Sequence, residues 1–404
     1  MHRLAWLIVP RLRPTTVALT LAVVAVTACS GSAGTPAAPR STAPAGLGGT
    51  SSPAAATPSR PARATTTGIA PLLDPRDVYA AGRPGRLSAE ARLARPLVYV
   101  PNSEDGTVSV IDPGTFRVVR VVRTGRLPQH VTPSFDLKTL YVDNDQGNTL
   151  TAISPRTGGF GSNVPVDDPY NLYFTADGRF AVVVAERLRR LDFRDAHTMT
   201  LVHSLPVPCP GVDHMDFSPD GTRALVSCEF GAKMIWVDMV RQRVLSELAL
   251  PAGSMPQDVK ISPDGRTYYV ADMSHGGVYL IDAHALRVIR FLPTGAEAHG
   301  LYPSRDSRTL YITNRRGQSV SLLSFASRRL VGRWTIPGGT PDMGGLDASG
   351  RVLWLSGRYS REVYAIDTTN GRLLARIPVG RGPHGLCVWP QPGRYSLGHT
   401  GILR

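Results

Sequence analysis

A short apolar segment recurs along this chain at a nearly fixed interval, and that recurrence restricts the fold more than any other feature. LVYV at 97, TLYV at 139, AVVV at 181, ALVS at 224, TYYV at 267, TLYI at 309 and VLWL at 352 align as seven copies. Their third residues, Tyr99, Tyr141, Val183, Val226, Tyr269, Tyr311 and Trp354, are separated by 42, 42, 43, 43, 42 and 43 positions. With 404 residues, the chain is too long for one ordinary core. Division into repeated units, each burying its face against its neighbours, meets that difficulty.

Residues 309–350 show the content of a unit: TLYITN, SVSLLS, LVGRWTI and then MGGLDASG, which ends in a turn. All four segments are short, rich in β-branched and aromatic residues, and bounded by Gly, Pro, Asn or Asp, as strands are. Four strands in about 42 residues is the period of a β-propeller blade. SPDG at 218 and 262 suits a tight turn, with Pro presetting φ and Gly free to take positive values. Asp112, Asp238, Asp282 and Asp367, each closing a second strand, read as Asx-turn residues. The first copy lacks a strand ahead of LVYV, and the chain supplies its equivalent as HGLCVW at 384–389. Pairing the two completes the last blade and removes two sheet edges. The expected fold is all-β: a seven-bladed β-propeller of four-stranded antiparallel blades over 97–393, closed by the C-terminal strand. Residues 71–96 become an N-terminal packing segment and 394–404 a C-terminal tail.

These segments carry a resemblance. TLYITN and TLYVDN, a second strand ending in ID, and the SPDG turns resemble the YVTN-repeat, YncE-like β-propellers of bacterial envelopes over residues 97–393. The resemblance implies the fold and leaves the activity open, because similar propellers include envelope proteins of unknown role, sugar lactonases and the modified-haem domain of nitrite reductase.

Aligning the units places His130, Asn171, His214, Asp258, His299, Met343 and His384 in one column. Each is expected at the first position of the innermost strand, beside the central channel. Four of the chain's ten histidines fall in these seven positions. Imidazoles at a wet channel mouth can serve only loop backbone and water. They can also bind a divalent transition metal, for which His214, Asp258 and His299 from consecutive blades form a two-His, one-carboxylate set. Recognition of an anionic or sugar-like ligand is the third use. Arg315 and Arg358, with Arg316, Arg361, Arg381 and Arg126, are expected on the same mouth, opposite Glu186, Glu229, Asp272 and Asp168. Separated signs of this kind orient a polar ligand.

The ends speak to location. Arg3, Arg11 and Arg13 precede an apolar run from Val17 to Val26, the arrangement of a secretory signal peptide over 1–28. Val26-Thr27-Ala28-Cys29 resembles a bacterial lipobox, which implies lipidation of Cys29 and a membrane-anchored, extracytoplasmic lipoprotein. The following stretch, to residue 70, consists almost wholly of Ser, Thr, Ala, Pro and Gly and reads as a tether. Export permits a disulfide, and Cys209 and Cys228 are placed to form it, with free thiols as the alternative. The net charge of +14 is carried by dispersed arginines, Lys138, Lys233 and Lys260 being the only lysines, so nucleic acid is not the expected partner. No GxSxG, HExxH or GxxxxGK[ST] motif occurs. The expected role is ligand or partner binding through the His-rich mouth. A metal-dependent lactonase-like hydrolase or redox protein is the alternative.

Overall fold

The computed structural model describes residues 68–399 and 401–404. The predicted signal peptide, Cys29 and nearly all of the tether lie outside the described residues. Within them the chain forms seven four-stranded antiparallel sheets. Six blades are continuous in sequence, each beginning with its inner strand: blade two at Pro128–Pro133, three at Pro169–Phe174, four at Val212–Phe217, five at Pro256–Ile261, six at Ala298–Pro303 and seven at Pro341–Leu346. Blade one joins the two ends of the repeat region. Cys387–Trp389 pairs with Leu97–Asn102 in the register Leu97↔Trp389, Val98↔Val388 and Tyr99↔Cys387.

The strands form where the sequence alternates β-branched and aromatic residues, and the turns form where local polar groups satisfy the backbone. Asp112, Asp238, Asp282 and Asp367 accept from the amides of Gly114, Val240, His284 and Thr369. In the SPDG turn at 262, Ser262 Oγ accepts from Thr267 N at 2.9 Å, and Gly265 takes φ +71°. The core is divided among the blade interfaces. The strand Thr267–Asp272 of blade five, for example, buries Tyr268 and Val270 with Trp236 on one side and Tyr269 with Leu301 on the other.

Inner strands of neighbouring blades do not form a common sheet, so their channel-side amides need other partners. The preceding blade supplies them. Tyr173 Oη accepts from Met215 N, Asp216 Oδ2 from Ile261 N, Asp258 Oδ2 from Leu301 N and Tyr302 Oη from Gly344 N. Between blades one and two, Val131 N donates to Gly385 O and Gly385 N to Gln129 O.

The end of the channel where the inner strands finish is filled by the chain's own C-terminus. Phe174 N donates to Leu397 O and His399 N to Leu172 O, which pins the tail to the inner strand of blade three. Below it, Arg404 Nη2 reaches Asp216 Oδ1 at 3.2 Å. The segment before blade one packs at the same end, where Tyr79 Oη donates to Ile261 O and Val78 N to Pro263 O.

Candidate functional site

The aligned column does converge on the channel axis. His130, Asn171, His214, Asp258 and Met343 are the third residues of their inner strands and His299 the second, whereas His384 precedes its strand. The strands therefore begin earlier than the sequence pattern placed them, because a proline or small residue at the entry already pairs with the second strand, as in Pro128↔Asn144. The expected wet mouth is not found at this level. His130 and His214 are 0% exposed, His299 1% and His384 2%. The rings face one another across a closed channel, with centroids 4.8 Å apart for His130 and His384 and 5.9 Å for His214 and His299.

The predicted metal set of His214, Asp258 and His299 is not assembled. Asp258 is turned to structural work: its Oδ1 takes Lys260 Nζ at 2.8 Å and its Oδ2 the Leu301 amide at 2.9 Å. Lys260 lies two residues along the same strand, hence on the same face, and it is as buried as its partner. His299 points elsewhere, with Nδ1 3.1 Å from Asp342 Oδ1 and Nε2 accepting from Arg315 Nη2 at 2.7 Å.

Arg315, expected as a ligand-facing loop charge, is also turned inward. Its Nε donates to Asp342 Oδ1 at 2.6 Å, and Nη2 lies 3.4 Å from His384 Nε2. Burial works against the charge on Arg315, but Asp342 outweighs it and holds the guanidinium firmly protonated. Burial, then the Arg315 charge, keeps His299 neutral; burial, then Arg358, does so for His384. Arg358 lies nearer the surface and donates through Nη1 only to neutral oxygens, Ser103 Oγ at 3.1 Å and Gly382 O at 3.3 Å. Two guanidiniums therefore share the single carboxylate of Asp342. Arg316 and Arg381 belong to exposed pairs with Glu297 and Asp105.

Across the same channel end the signs reverse. Asp145, Asp168, Glu186, Asp213 and Glu229 gather on blades two to four. Arg187 reaches Asp168 at 2.7 Å and Asp145 at 3.5 Å. Burial and then the Asp213 charge push Glu186 up to about 8 and Glu229 up to about 7. Burial, followed by Asp168, raises Asp145 to about 7. His214 Nδ1 stands 2.6 Å from Asp213 Oδ1. Burial opposes protonation of His214, but that carboxylate prevails and raises its pKa.

A family model of the YNCE-like beta-propeller matches residues 64–392. The chain belongs to that family. No curated protein matches this YNCE-like propeller in sequence. Solved structures do match it in fold. The periplasmic gluconolactonase PpgL of Pseudomonas aeruginosa is 21% identical, with a TM-score of 0.62 over 74% of this chain and 99% of that one. Kuenenia stuttgartiensis hydrazine synthase is 22% identical, with a TM-score of 0.55 over 63% of this chain and 87% of that one. Dihydro-heme d1 dehydrogenase NirN, solved with DHE, is 18% identical, with a TM-score of 0.57 over 75% and 77%.

Three residues of this YNCE-like propeller escaped the column. Asp213 and Asp342 immediately precede column members on blades four and seven, so reading one column hid them. His399 lies in the tail, where no repeat exists to align it, yet it is 0% exposed and its ring is within 4.6 Å of His130 and 4.7 Å of His214. Cys209 and Cys228 form a disulfide, and Cys387 is a buried free thiol.

Proposed function

We propose that this YNCE-like propeller is a lipid-anchored, extracytoplasmic binding module of the bacterial cell envelope, and that it takes a small dipolar ligand, or a partner's segment of that chemistry, at the channel end where charge is divided. The observation that carries the reading is Arg358. Its guanidinium is largely withdrawn from water, lacks a carboxylate of its own, and lies across the axis from a group of acids served mainly by Arg187. Burial lowers its pKa, so an incoming carboxylate would supply the missing counter-charge. The opposite arc would take the ligand's cationic or hydroxyl end. The lipobox-like Val26-Thr27-Ala28-Cys29 and the Cys209–Cys228 disulfide support the location.

The test is a thermal-shift and calorimetric screen of the full chain against amino acids, sugar acids and short peptides. A carboxylate ligand is expected to bind at least tenfold more weakly to Arg358→Gln. Affinity unchanged in that variant, or a screen with no ligand, removes the reading. Lipid labelling that survives Cys29→Ala removes the anchor. The alternative is a metal-dependent enzyme, lactonase-like or redox, working in the same channel. Hydrolysis of a sugar lactone above the spontaneous rate, abolished in His214→Ala, would replace binding with catalysis.

A further inference from the structure

Among the described residues, two groups of three ligand-type side chains lie in the channel, and their surroundings differ in a way that decides between them. In each group one potential ligand atom per residue lies within 4.8 Å of the others. In the group of His299, Asp342 and His384, a cation is already present. Arg315 donates to Asp342 Oδ1 and His299 Nε2 and approaches His384 Nε2. The lone pairs a metal would need are directed at a guanidinium, and a second positive charge would be repelled.

The other group is His130, His214 and His399. Here the nitrogens have no such occupant: His130 Nε2, His214 Nε2 and both ring nitrogens of His399 are buried without a hydrogen-bond partner. Leaving buried polar atoms unpaired costs roughly 1–3 kcal/mol each, so four of them around one point call for an explanation. The outward nitrogens of the two strand histidines each face an oxygen. His130 Nδ1 lies 2.8 Å from Tyr170 O, which fixes it as the N–H donor and leaves Nε2 as a bare lone pair. His214 Nδ1 lies 2.6 Å from Asp213 Oδ1, whose charge favours a proton on that nitrogen and leaves Nε2 as the one a metal would take, displacing any proton it carries. A carbonyl or carboxylate behind the imidazole is how proteins orient and strengthen metal-binding histidines.

The tail makes the set complete. His130 belongs to blade two and His214 to blade four, while blade three, between them, offers Asn171. The tail is bonded to that same inner strand and lays His399 over the gap. Gly398 makes the approach possible: it takes φ +109°, and a Cβ there would overlap Leu172 O and Tyr173 Cα.

We propose that His130, His214 and His399 form a tris-imidazole site for one divalent first-row transition-metal ion inside the channel, with the third ligand supplied by the C-terminal tail. Neutral imidazoles suit zinc, copper, nickel and cobalt, and three of them leave a coordination position for a water or a small ligand. Nitrogens sharing a tetrahedral ion with bonds of about 2.0–2.1 Å stand a little over 3 Å apart, so rotation of the rings by about an ångström closes the set. Arg358 is not a ligand here, so this site and the anion site at the channel end can fail independently.

The experiment strips the full chain with a chelator and titrates it with Co2+ and Zn2+, following the visible Co2+ spectrum, bound-metal stoichiometry and the melting temperature. One ion per chain is expected, with a tetrahedral or five-coordinate Co2+ spectrum and a melting temperature that rises with free metal. His399→Ala and His130→Ala should each weaken binding at least 100-fold and abolish the metal-dependent rise. His384→Ala should leave affinity within about threefold. His399→Gln, close in size, serves if the alanine variant does not fold, and should show the same loss. A wild-type chain that folds without retaining an ion, or an ion lost in His384→Ala but kept in the His399 variants, overturns the proposal.

Discussion

Lys260 and Asp258 show how a single residue can be read correctly for position and wrongly for purpose. Asp258 lies on the channel wall, as its column predicted, but the carboxylate is consumed by Lys260 Nζ and the Leu301 amide. The information was in the sequence: residues two apart on a strand share a face, so a lysine at that spacing competes with any ligand for the acid. Removing one partner of a buried pair leaves the other charged and uncompensated, at a cost of about 3–5 kcal/mol. Lys260→Met is therefore expected to lower the midpoint of urea unfolding by that equivalent, and the double change with Asp258→Asn to recover much of it. A single variant as stable as the wild type would mean that water reaches the pair. His214 and His299, by contrast, differ in purpose for reasons outside the column. Asp213 stands behind the first and Asp342 with Arg315 beside the second, and such neighbours come from adjacent chain positions and other blades.

At the scale of elements, the repeat made most of the fold legible. A period near 42, four β-type segments in each period and one unmatched segment at each end together determine the ring and its closure by Cys387–Trp389. The tail was illegible for the same reason that the blades were clear: it occurs once, so no column compares it with anything. Its role depends on a close approach that only glycine allows. Gly398→Val would force the tail away from the inner strand of blade three, because the φ of +109° and the backbone of Leu172 and Tyr173 leave no room for a side chain. Amide exchange is the measurement. Phe174 N, which donates to Leu397 O, and His399 N, which donates to Leu172 O, are expected to lose protection by at least tenfold, while strands of blades five to seven keep theirs. Uniform loss across all blades would show instead that the tail is part of one cooperative unit with the ring.

The whole molecule carries opposed titrations at its axis, and their signs set a narrow range of maximal stability. His299 and His384 are held neutral by burial and then by neighbouring guanidiniums, so their folded pKa lies below the unfolded value of about 6.5. Below that pH the unfolded chain binds protons that the folded one refuses, and stability falls by about 1.4 kcal/mol per pH unit for each histidine. Glu186 and Glu229 work the other way. Burial and then the Asp213 charge raise them to about 8 and about 7, well above a free glutamate. Their contribution is complete below about pH 4.5 and is lost as pH rises towards 8, because the folded state must then carry two ionised carboxyls beside Asp213. Water at the channel end screens these groups, so the alkaline loss is on the order of 1–2 kcal/mol in total. Calorimetric melting of the chelator-treated chain from pH 4.5 to 8.5 is expected to give a maximum near pH 6.5, with a steep acid side and a shallow alkaline one. Glu186→Gln removes one of the two acids and should flatten the alkaline side while leaving the acid side in place. An alkaline side unaffected by that change would mean that Glu186 ionises freely in water, and the acidic arc of the channel end would then lose its buried character.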